Sequence, residues 1–543
     1  MGMEEIREQV LQTCRHLLSE QNRDPYTPSH GCFDRRYWGW KIADFPEATF
    51  QRNVYPLSWL LRKPDPDFRV GKDALFESVQ AGLSYTANIQ HSNGSFDQAF
   101  PWEQSFGATA FLLYPLLEAY RVVESDCTQE FRAKIEGCLR GSAEFLCRHD
   151  ERHGCISNHI AGAALSLFHC SDHFADARYQ RRAWSLLEGL LEDQSEEGWF
   201  PEYGGADPGY QTLCLHYLAG IYRLRPDNRL REALRRAVEF LSWFAHPDGT
   251  FGGEYGSRRT AIFYPGGLAI LAREIPLARS LLCFMADSIA QGRTVTLNDV
   301  DIANIAPVLE NYLTVLDSGM PDPVEENPVL PCRTDDARRD FVEAGIFVRG
   351  TGRYYALFGA SNGGVLKLFD RRERKAIWND GGYVGQTSSG EYVTTQVTDL
   401  DRTSRWADEE ISLETDFYLL PRSSPAPLLF LLLRLMNLTF MRSIILGNWI
   451  KKGLVHFLIN RRRPLPLKLS RTIKFGMKTV TVIDKIQGPL QLRWLEYGRP
   501  FVGIHMASAR YFEGIVGGAV WAPRRIDVIA LHNSGEFECQ LEL

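Results

Sequence analysis

The sequence lacks several features that would assign it quickly to a class of protein. It contains no P-loop, no dinucleotide-binding glycine fingerprint and no nucleophile-elbow serine motif. These absences argue against the common nucleotide-dependent enzymes and serine hydrolases. The N-terminus has no basic, apolar and small-residue segments in the order of a signal peptide, and opens as an amphipathic helix instead. We therefore expect an intracellular protein and predict a cytoplasmic location.

The cysteines do not form an evident disulfide framework. There are 11, an odd number, and they are scattered along the chain, which suits reduced thiols in a cytosol. Cysteines and histidines crowd between Cys147 and His173, but their spacing matches no strong zinc template. We predict neither a metal nor another cofactor.

Acidic residues are missing from one long segment. Between Phe417 and Ile483 there is no Asp or Glu, whereas the same stretch holds twelve Lys and Arg residues. The formal net charge of the whole chain is −6, so the segment stands out strongly and predicts an anionic partner. Its long aliphatic runs favour lipid, and we predict no nucleic-acid binding.

An insertion at 425–466 lies inside this basic segment. Its apolar runs, Leu428–Leu433 and Ile444–Ile450, are too short to cross a bilayer, which takes about 20 residues. A helix lying in an anionic membrane interface fits the pattern, and an amphipathic hairpin packed on the protein's own core fits it equally well. The membrane contacts predicted for the first case are Arg434, Arg442, Trp449, Lys451, Lys452, Arg461, Arg462 and Arg463.

The chain is too long for one ordinary core and predicts a helical domain followed by a β domain. Residues 1–319 carry four similar turns at intervals near 50 residues, as in stacked helical hairpins that close into an (α/α) toroid. Alternatively, each turn is only a helix stop with a buried aromatic residue. The turns begin at Asn93, His153, Glu197 and Asp248.

A Pro- and acid-rich linker, residues 320–340, separates the helical part from the remainder. After it the pattern changes to short β-branched and aromatic runs punctuated by glycine, as in Tyr354-Tyr-Ala-Leu-Phe358. Residues 341–543 are therefore predicted to form an antiparallel β-sandwich that carries the insertion.

Two short motifs in the helical part have residues suited to uronate chemistry. Ser157-Asn158-His159 precedes, by about 50 residues, the aromatic and acidic turn Gly198–Tyr210. Abstraction of the C5 proton of a uronate needs a group that neutralises the carboxylate, a base near C5 and an acid at the glycosidic oxygen. Asn158, His159 and Tyr210 are candidates for these tasks, with Tyr203 as a second possible base. The predicted substrate-binding residues are Trp102, Glu202, Tyr203, Asp207, Glu254 and Arg258.

These motifs, the helical array and the β domain behind it resemble the heparinase II/III-like and alginate lyase group of polysaccharide lyases. The resemblance implies an incomplete (α/α) toroid followed by an antiparallel β-sandwich. It also implies that Asn158 holds the uronate carboxylate and that Tyr210 exchanges the proton. The family usually has a second catalytic histidine near the start of the β domain, whereas Gly363–Asp370 has none. His505 is the candidate replacement.

We therefore predict an enzyme that eliminates across a uronate in an acidic polysaccharide or a lipid-linked oligosaccharide. Exopolysaccharide metabolism at the cytoplasmic membrane face is the expected setting. Three alternatives stay open: a uronyl epimerase, which shares the first step; a toroid glycoside hydrolase, which would use two of the turn carboxylates; and a non-catalytic protein that binds glycan during assembly.

Overall fold

A computed structural model of the protein describes the helical part almost completely and most of the β domain. The described residues are 2–151, 156–321, 328–400, 404–407, 409–420, 426–443, 446–447, 449–450, 453, 464–497, 525–534 and 536–542.

The N-terminal domain is a ring of helical hairpins with an inner and an outer layer. The inner helices are buried almost all round, whereas the outer ones bury a single stripe, as in α10, where Leu230, Leu234 and Val238 recur at helical spacing. The helices are α1 Gly2–Glu20, α2 Arg35–Trp38, α3 Val54–Arg62, α4 Lys72–Ile89, α5 Phe106–Val123, α6 Gln129–Arg148, α7 Ser157–Phe174, α8 Ala177–Glu192, α9 Pro208–Leu224, α10 Asn228–Ser242, α11 Gly266–Leu271, α12 Pro276–Ala290 and α13 Ile305–Ser318.

The inner layer runs α3, α5, α7, α9, α11 and α13, and its two ends meet. Asp317 on α13 accepts a hydrogen bond from Trp59 Nε1 at 2.8 Å. The same carboxylate pairs with Arg62 at 3.0 Å and Lys63 at 2.6 Å, both at the end of α3. A single carboxylate therefore ties the first inner helix to the last.

The repeated turns share one backbone conformation. Gly94, Gly198 and Gly249 all have φ between 90° and 100°, a region that favours glycine. The aromatic residue two positions after each glycine is buried in the core. The turns are therefore helix stops with a buried aromatic, and they also recur at the same end of successive hairpins. Most of the turn beginning at His153 lies outside the described residues.

The C-terminal domain contains two antiparallel sheets. The first follows chain order through β1 Ala337–Phe341, β2 Ile346–Gly350, β3 Tyr354–Gly359, β4 Val365–Asp370 and β5 Lys375–Asn379. The second has the order β12-β6-β7-β9-β10-β11-β13, with β8 on β9. Its strands are β6 Tyr383–Thr387, β7 Tyr392–Thr394, β8 Ser404–Trp406, β9 Glu410–Leu419, β10 Pro464–Phe475, β11 Val480–Gln487, β12 Leu492–Tyr497 and β13 Glu536–Glu542, accompanied by helices α14 Pro427–Leu438 and α15 Val528–Ser534.

The first sheet is covered on both faces, which attaches the β domain firmly to the toroid. Side chains alternate along a strand, so Ile346 and Val348 join the helical core while Phe347 joins the core between the sheets. Tyr355 extends the first contact by donating its hydroxyl proton to the carbonyl oxygen of Trp243 at 2.7 Å. The predicted fold, a helical toroid followed by an antiparallel β-sandwich, is confirmed.

A buried ion cluster fixes the start of β4. The fully buried Arg471 pairs with Asp484 at 2.8 Å and Asp380 at 3.2 Å. It also donates to the carbonyl oxygen of Gly364 at 2.5 Å. Because each charge has a partner, the cluster tolerates burial and holds the loop that leads into β4 against the second sheet.

We predict that Gly94→Ala destabilises the toroid strongly. Gly94 has φ +90°, and a Cβ there would lie 1.9 Å from the carbonyl oxygen of Gly141. The strained backbone and the clash together should lower the free energy of unfolding by about 3 kcal/mol. Gly137→Ala is the matched control, because this helical glycine has open space around its Cβ position. This substitution should raise the free energy of unfolding by about 1 kcal/mol. Urea unfolding of both variants measures the difference, and equal stabilities would refute the role of the turn.

Candidate active site at the toroid rim

The candidate residues lie where α7 and α9 begin and in the loop that precedes α11. Asp207 forms the N-cap of α9 and accepts a hydrogen bond from the backbone N–H of Tyr210 at 3.0 Å. Ser105 caps α5 in the same way at 3.2 Å. Helix N-termini carry partial positive charge, so this end of the ring favours an anionic ligand.

Asn158 and Glu202 form the innermost contact of the site. Asn158 Nδ2 donates to Glu202 Oε2 at 2.8 Å, and both residues are buried. Arg258 Nη1 approaches the other carboxylate oxygen at 3.3 Å. Burial raises the pKa of Glu202 to about 8, although Arg258 and the bond from Asn158 act in the opposite direction. Glu202 therefore changes its charge near neutral pH.

Arg258 lies against two tyrosine rings. Its guanidinium carbon is 4.1 Å from the ring centre of Tyr203 and 4.9 Å from that of Tyr210, which gives cation–π contacts on both. Burial raises the pKa of each tyrosine hydroxyl, while the Arg258 charge lowers it. Both hydroxyls are therefore protonated at neutral pH and are suited to donating a proton. Tyr203 is 41% exposed, so this group reaches the solvent.

His159 has a carboxylate partner that sequence reasoning missed. Its Nδ1 lies 2.7 Å from Glu151 Oε2, and its ring meets Phe111 edge-on at 4.9 Å. Contact through Nδ1 leaves Nε2 for a substrate, as in a base oriented by a carboxylate. Glu151 is also close enough to raise the pKa of Glu202. The only signal in the sequence was an acid eight residues before the histidine.

The structure places Asp207, a predicted substrate-binding residue, in a structural position. This carboxylate is 1% exposed and accepts hydrogen bonds from the backbone N–H groups of Tyr210, Arg258 and Thr260. It joins the start of α9 to the loop that carries Arg258. Its role is to hold the site together.

Glu254 also contacts the protein itself. Lys367 Nζ, on β4, lies 3.3 Å from Glu254 Oε2, and Asn379 Nδ2 lies 3.5 Å from the other oxygen. The Glu254 side chain is 7% exposed, and its contacts in the structure join the two domains. Its predicted contact with substrate stays a prediction. Lys367 was missed, although it belongs to the strand in which the family resemblance placed a histidine.

Trp102 lies at the edge of this rim and meets the insertion. Its ring is 4.8 Å from that of His91, and the guanidinium carbon of Arg442 is also 4.8 Å from its centre. Trp449 is 75% exposed. The other predicted residues His505, Lys451, Lys452, Arg461, Arg462 and Arg463 lie outside the described residues.

Arg434 has a different position from the one predicted for a lipid contact. It pairs with Asp44 of the toroid at 2.7 Å, which directs it toward the protein. Within the described part of the chain, no group of three or more His, Cys, Asp or Glu side chains is placed to hold a metal ion.

The raised pKa of Glu202 predicts a pH-dependent stability. The folded protein keeps this proton up to about pH 8, whereas the unfolded chain releases it near pH 4.3. The stabilising contribution of protonated Glu202 is therefore complete below pH 4.3 and is lost as the pH rises to 8.

Glu202→Gln removes this titration. Between pH 5 and 8, the free energy of unfolding of the wild type should fall relative to that of the variant by about 1 kcal/mol for each pH unit. Urea unfolding at each pH measures both curves. Parallel curves would show that Glu202 titrates normally.

Comparisons with known proteins identify proteins of similar fold. Residues 12–268 match the family model of the ulvan lyase N-terminal domain. Comparison with curated proteins gave no match. Among solved structures, the chondroitin AC lyase of Streptomyces coelicolor A3 in complex with chondroitin sulphate is similar, with a TM-score of 0.57 and 11% identity, over 91% of this chain and 68% of that one. The Paenibacillus xanthan lyase is similar with a TM-score of 0.52 and 12% identity, over 92% of this chain and 47% of that one.

These TM-scores establish a shared fold. The domain match covers the part of the toroid that holds Asn158, His159, Glu202, Tyr210 and Arg258. The predicted resemblance is confirmed: the N-terminal part of the chain matches an ulvan lyase domain, and the whole chain has the two-domain fold of the (α/α)-toroid polysaccharide lyases.

Proposed function

We propose that this protein is a polysaccharide lyase that cleaves a uronate-containing acidic polysaccharide by β-elimination. The observation that carries the proposal is the position of Arg258, held by Glu202 between two tyrosine rings at the toroid rim. The toroid fold supports it, and of the two structural neighbours described above one is a chondroitin AC lyase in complex with chondroitin sulphate and the other is a xanthan lyase.

Arg258 is assigned to the uronate carboxylate. Loss of the C5 proton puts further negative charge next to a carboxylate, so a fixed cation there stabilises the transition state. The Arg258 side chain is 16% exposed, whereas Asn158 is 1% exposed. We therefore assign the direct contact to Arg258 and give Asn158 a positioning role through Glu202.

The proton steps are divided between His159 and Tyr210. His159 Nε2, oriented by Glu151, takes the C5 proton. The Tyr210 hydroxyl, whose pKa burial raises, donates a proton to the glycosidic oxygen at C4 as the C4–O bond breaks. A C4=C5 double bond forms in the ring, and no water is consumed. The raised pKa of Tyr210 keeps its hydroxyl protonated and so suits it to the acid role.

Hydrolysis by two carboxyl groups has less support. Asp207 is committed to backbone N–H groups, and Glu254 faces Lys367. Glu103 accepts hydrogen bonds from the backbone N–H groups of Gln98 and Ala99. Epimerisation would use the same first step as elimination, and the product separates the two reactions.

The proposal includes a finer setting for the reaction. The substrate would be a polysaccharide or a lipid-linked oligosaccharide in exopolysaccharide metabolism. The protein would work on the cytoplasmic face of a membrane, where the basic insertion meets anionic lipid.

Tyr210→Phe should abolish formation of unsaturated uronate while leaving the fold intact. The change removes one hydroxyl that makes no hydrogen bond to the described residues, and the loss of an acid catalyst costs about 10²–10⁴-fold in rate. Tyr222→Phe is the matched control on the same helix, where the hydroxyl bonds Glu274. Absorbance of the product over a panel of acidic polysaccharides measures both variants. A fully active Tyr210→Phe would refute the assignment, whereas retained glycan binding without any product in the wild type would favour epimerisation or binding alone.

Arg258→Lys should lower kcat more than it raises KM. Lysine keeps a charge but loses the planar contacts with both rings, so the cation no longer sits where charge develops, and kcat should fall about 100-fold. Arg235→Lys on the exposed face of α10 is the control. Steady-state kinetics with the substrate found above measure both. A change confined to KM would mean that Arg258 only binds the substrate.

A further inference from the structure

Helix α14 differs from an ordinary surface helix in what it buries. Its buried residue is the polar Asn437, 1% exposed, whereas all of its leucines except Leu433 are exposed. Soluble amphipathic helices show the opposite arrangement. The exposed apolar side chains are Leu428 79%, Leu429 66%, Phe430 48%, Leu431 67%, Leu432 53%, Leu435 60% and Leu438 59%, followed in the chain by Phe440 60%, Leu446 48% and Trp449 75%.

Polar contacts hold this helix against the toroid. Arg434 pairs with Asp44 at 2.7 Å. After the helix, Gln104 Nε2 donates to the carbonyl oxygens of Met441 at 3.4 Å and Arg442 at 3.3 Å. The helix is thus attached through Arg434 and through the segment that follows it, and most of its leucines are left exposed.

The toroid adds its own apolar residues beside this helix. Trp40 is 69% exposed and Ile42 77% exposed, with the exposed Lys41 between them. Ile42 is only two residues from Asp44, the partner of Arg434, so it lies within about 7 Å along the chain of the point where α14 is attached. A tryptophan, a lysine and an isoleucine together suit a membrane interface.

We infer that Trp40 and Ile42 of the toroid and the outer face of α14 form one surface that binds an anionic lipid bilayer. Helix α14 has 12 residues, which fits a helix lying in the interface plane. Among the described residues, no helix is long and apolar enough to span a bilayer. The charge of the segment decides the occupant. The sequence between Phe417 and Ile483 has no Asp or Glu, and it holds further Lys and Arg residues besides the buried Arg471 and the Asp44-paired Arg434, which matches anionic headgroups. A second copy of the chain would bring the same cations together.

This surface lies beside the candidate site. Gln104, which holds the insertion, directly precedes Ser105, the cap of α5. The first turn of α5 reaches His159, because a Cβ on Gly107 would lie 2.5 Å from its Nδ1. A bilayer bound here would lie next to the rim that holds the candidate site. This position suits a glycan that is linked to a lipid or bound to a membrane. In this respect the inference deepens the proposed membrane setting and rests on it, whereas the lipid surface itself does not depend on elimination chemistry.

Vesicle flotation of the full-length protein tests the inference. The vesicles are phosphatidylcholine alone or a mixture with phosphatidylglycerol, at low and high salt. The wild type should float with the anionic vesicles and lose most of this binding at high salt. Trp40→Ser/Ile42→Ser and Leu428→Ser/Leu431→Ser/Leu435→Ser should each reduce the bound fraction at least about tenfold, because exposed apolar side chains no longer insert. These side chains are exposed, so the substitutions leave the fold unchanged.

The controls separate the possible failures. Met477→Ser changes an 81% exposed methionine in the turn after β10 and should float like the wild type. Tyr210→Phe should also float, and the anchor variants should still cleave soluble oligosaccharides. Absence of flotation, or equal flotation of all variants, would overturn the inference even if elimination is observed. A wild-type dimer that the leucine variants convert to a monomer would also overturn it, by identifying the occupant as a second copy.

Discussion

The buried pair of Arg258 and Glu202 is the contact on which the site depends. It joins the loop before α11 to the turn before α9, and two further contacts reinforce the junction: the Ser257 hydroxyl donates to the carbonyl oxygen of Glu202 at 2.8 Å, and the backbone N–H of Arg258 donates to Asp207 at 2.8 Å. Burying a charged carboxylate costs free energy unless the charge is paired. Burial accordingly raises the pKa of Glu202, while Arg258 lowers it. The same pair sets the position of the cation to which we assign the uronate carboxylate.

The β domain completes this rim. Its first sheet is buried on both faces, and it presents Lys367 to Glu254. Asn362, in the loop before β4, donates to the carbonyl oxygen of Gly256 at 2.7 Å, two residues from Arg258. The loop that carries the candidate carboxylate-binding arginine is therefore held from two domains. We expect a toroid expressed alone to lose the geometry of this loop.

The fold could be predicted from the sequence because the repeated turns form a local pattern. The turns with buried phenylalanines and positive-φ glycines recur every 50 or so residues, and that period predicts stacked hairpins without long-range information. Tyr210, Arg258 and their neighbours were predicted as site residues because aromatic and charged side chains are concentrated in such turns. The comparisons with known proteins support the same conclusion about fold and class of enzyme.

The remaining features depend on contacts that a sequence does not display. An aspartate before a helix has the same appearance whether it caps the helix or binds a ligand, so the sequence did not reveal that Asp207 caps α9. Glu151 and Lys367 reach the site across a turn and across a domain boundary. Periodicity placed Arg434 on a basic face, but its contact with Asp44 shows that Arg434 meets the protein. The exposure of the leucines is a separate finding of the structure.

The central claim is elimination next to a uronate, and the fate of water tests it most directly. The wild-type protein is incubated with an acidic polysaccharide in water labelled with heavy oxygen, and the fragments are weighed by mass spectrometry. Elimination predicts fragments that carry a new double bond and no labelled oxygen. One labelled oxygen per cleaved bond, without a double bond, would identify a hydrolase and contradict the account.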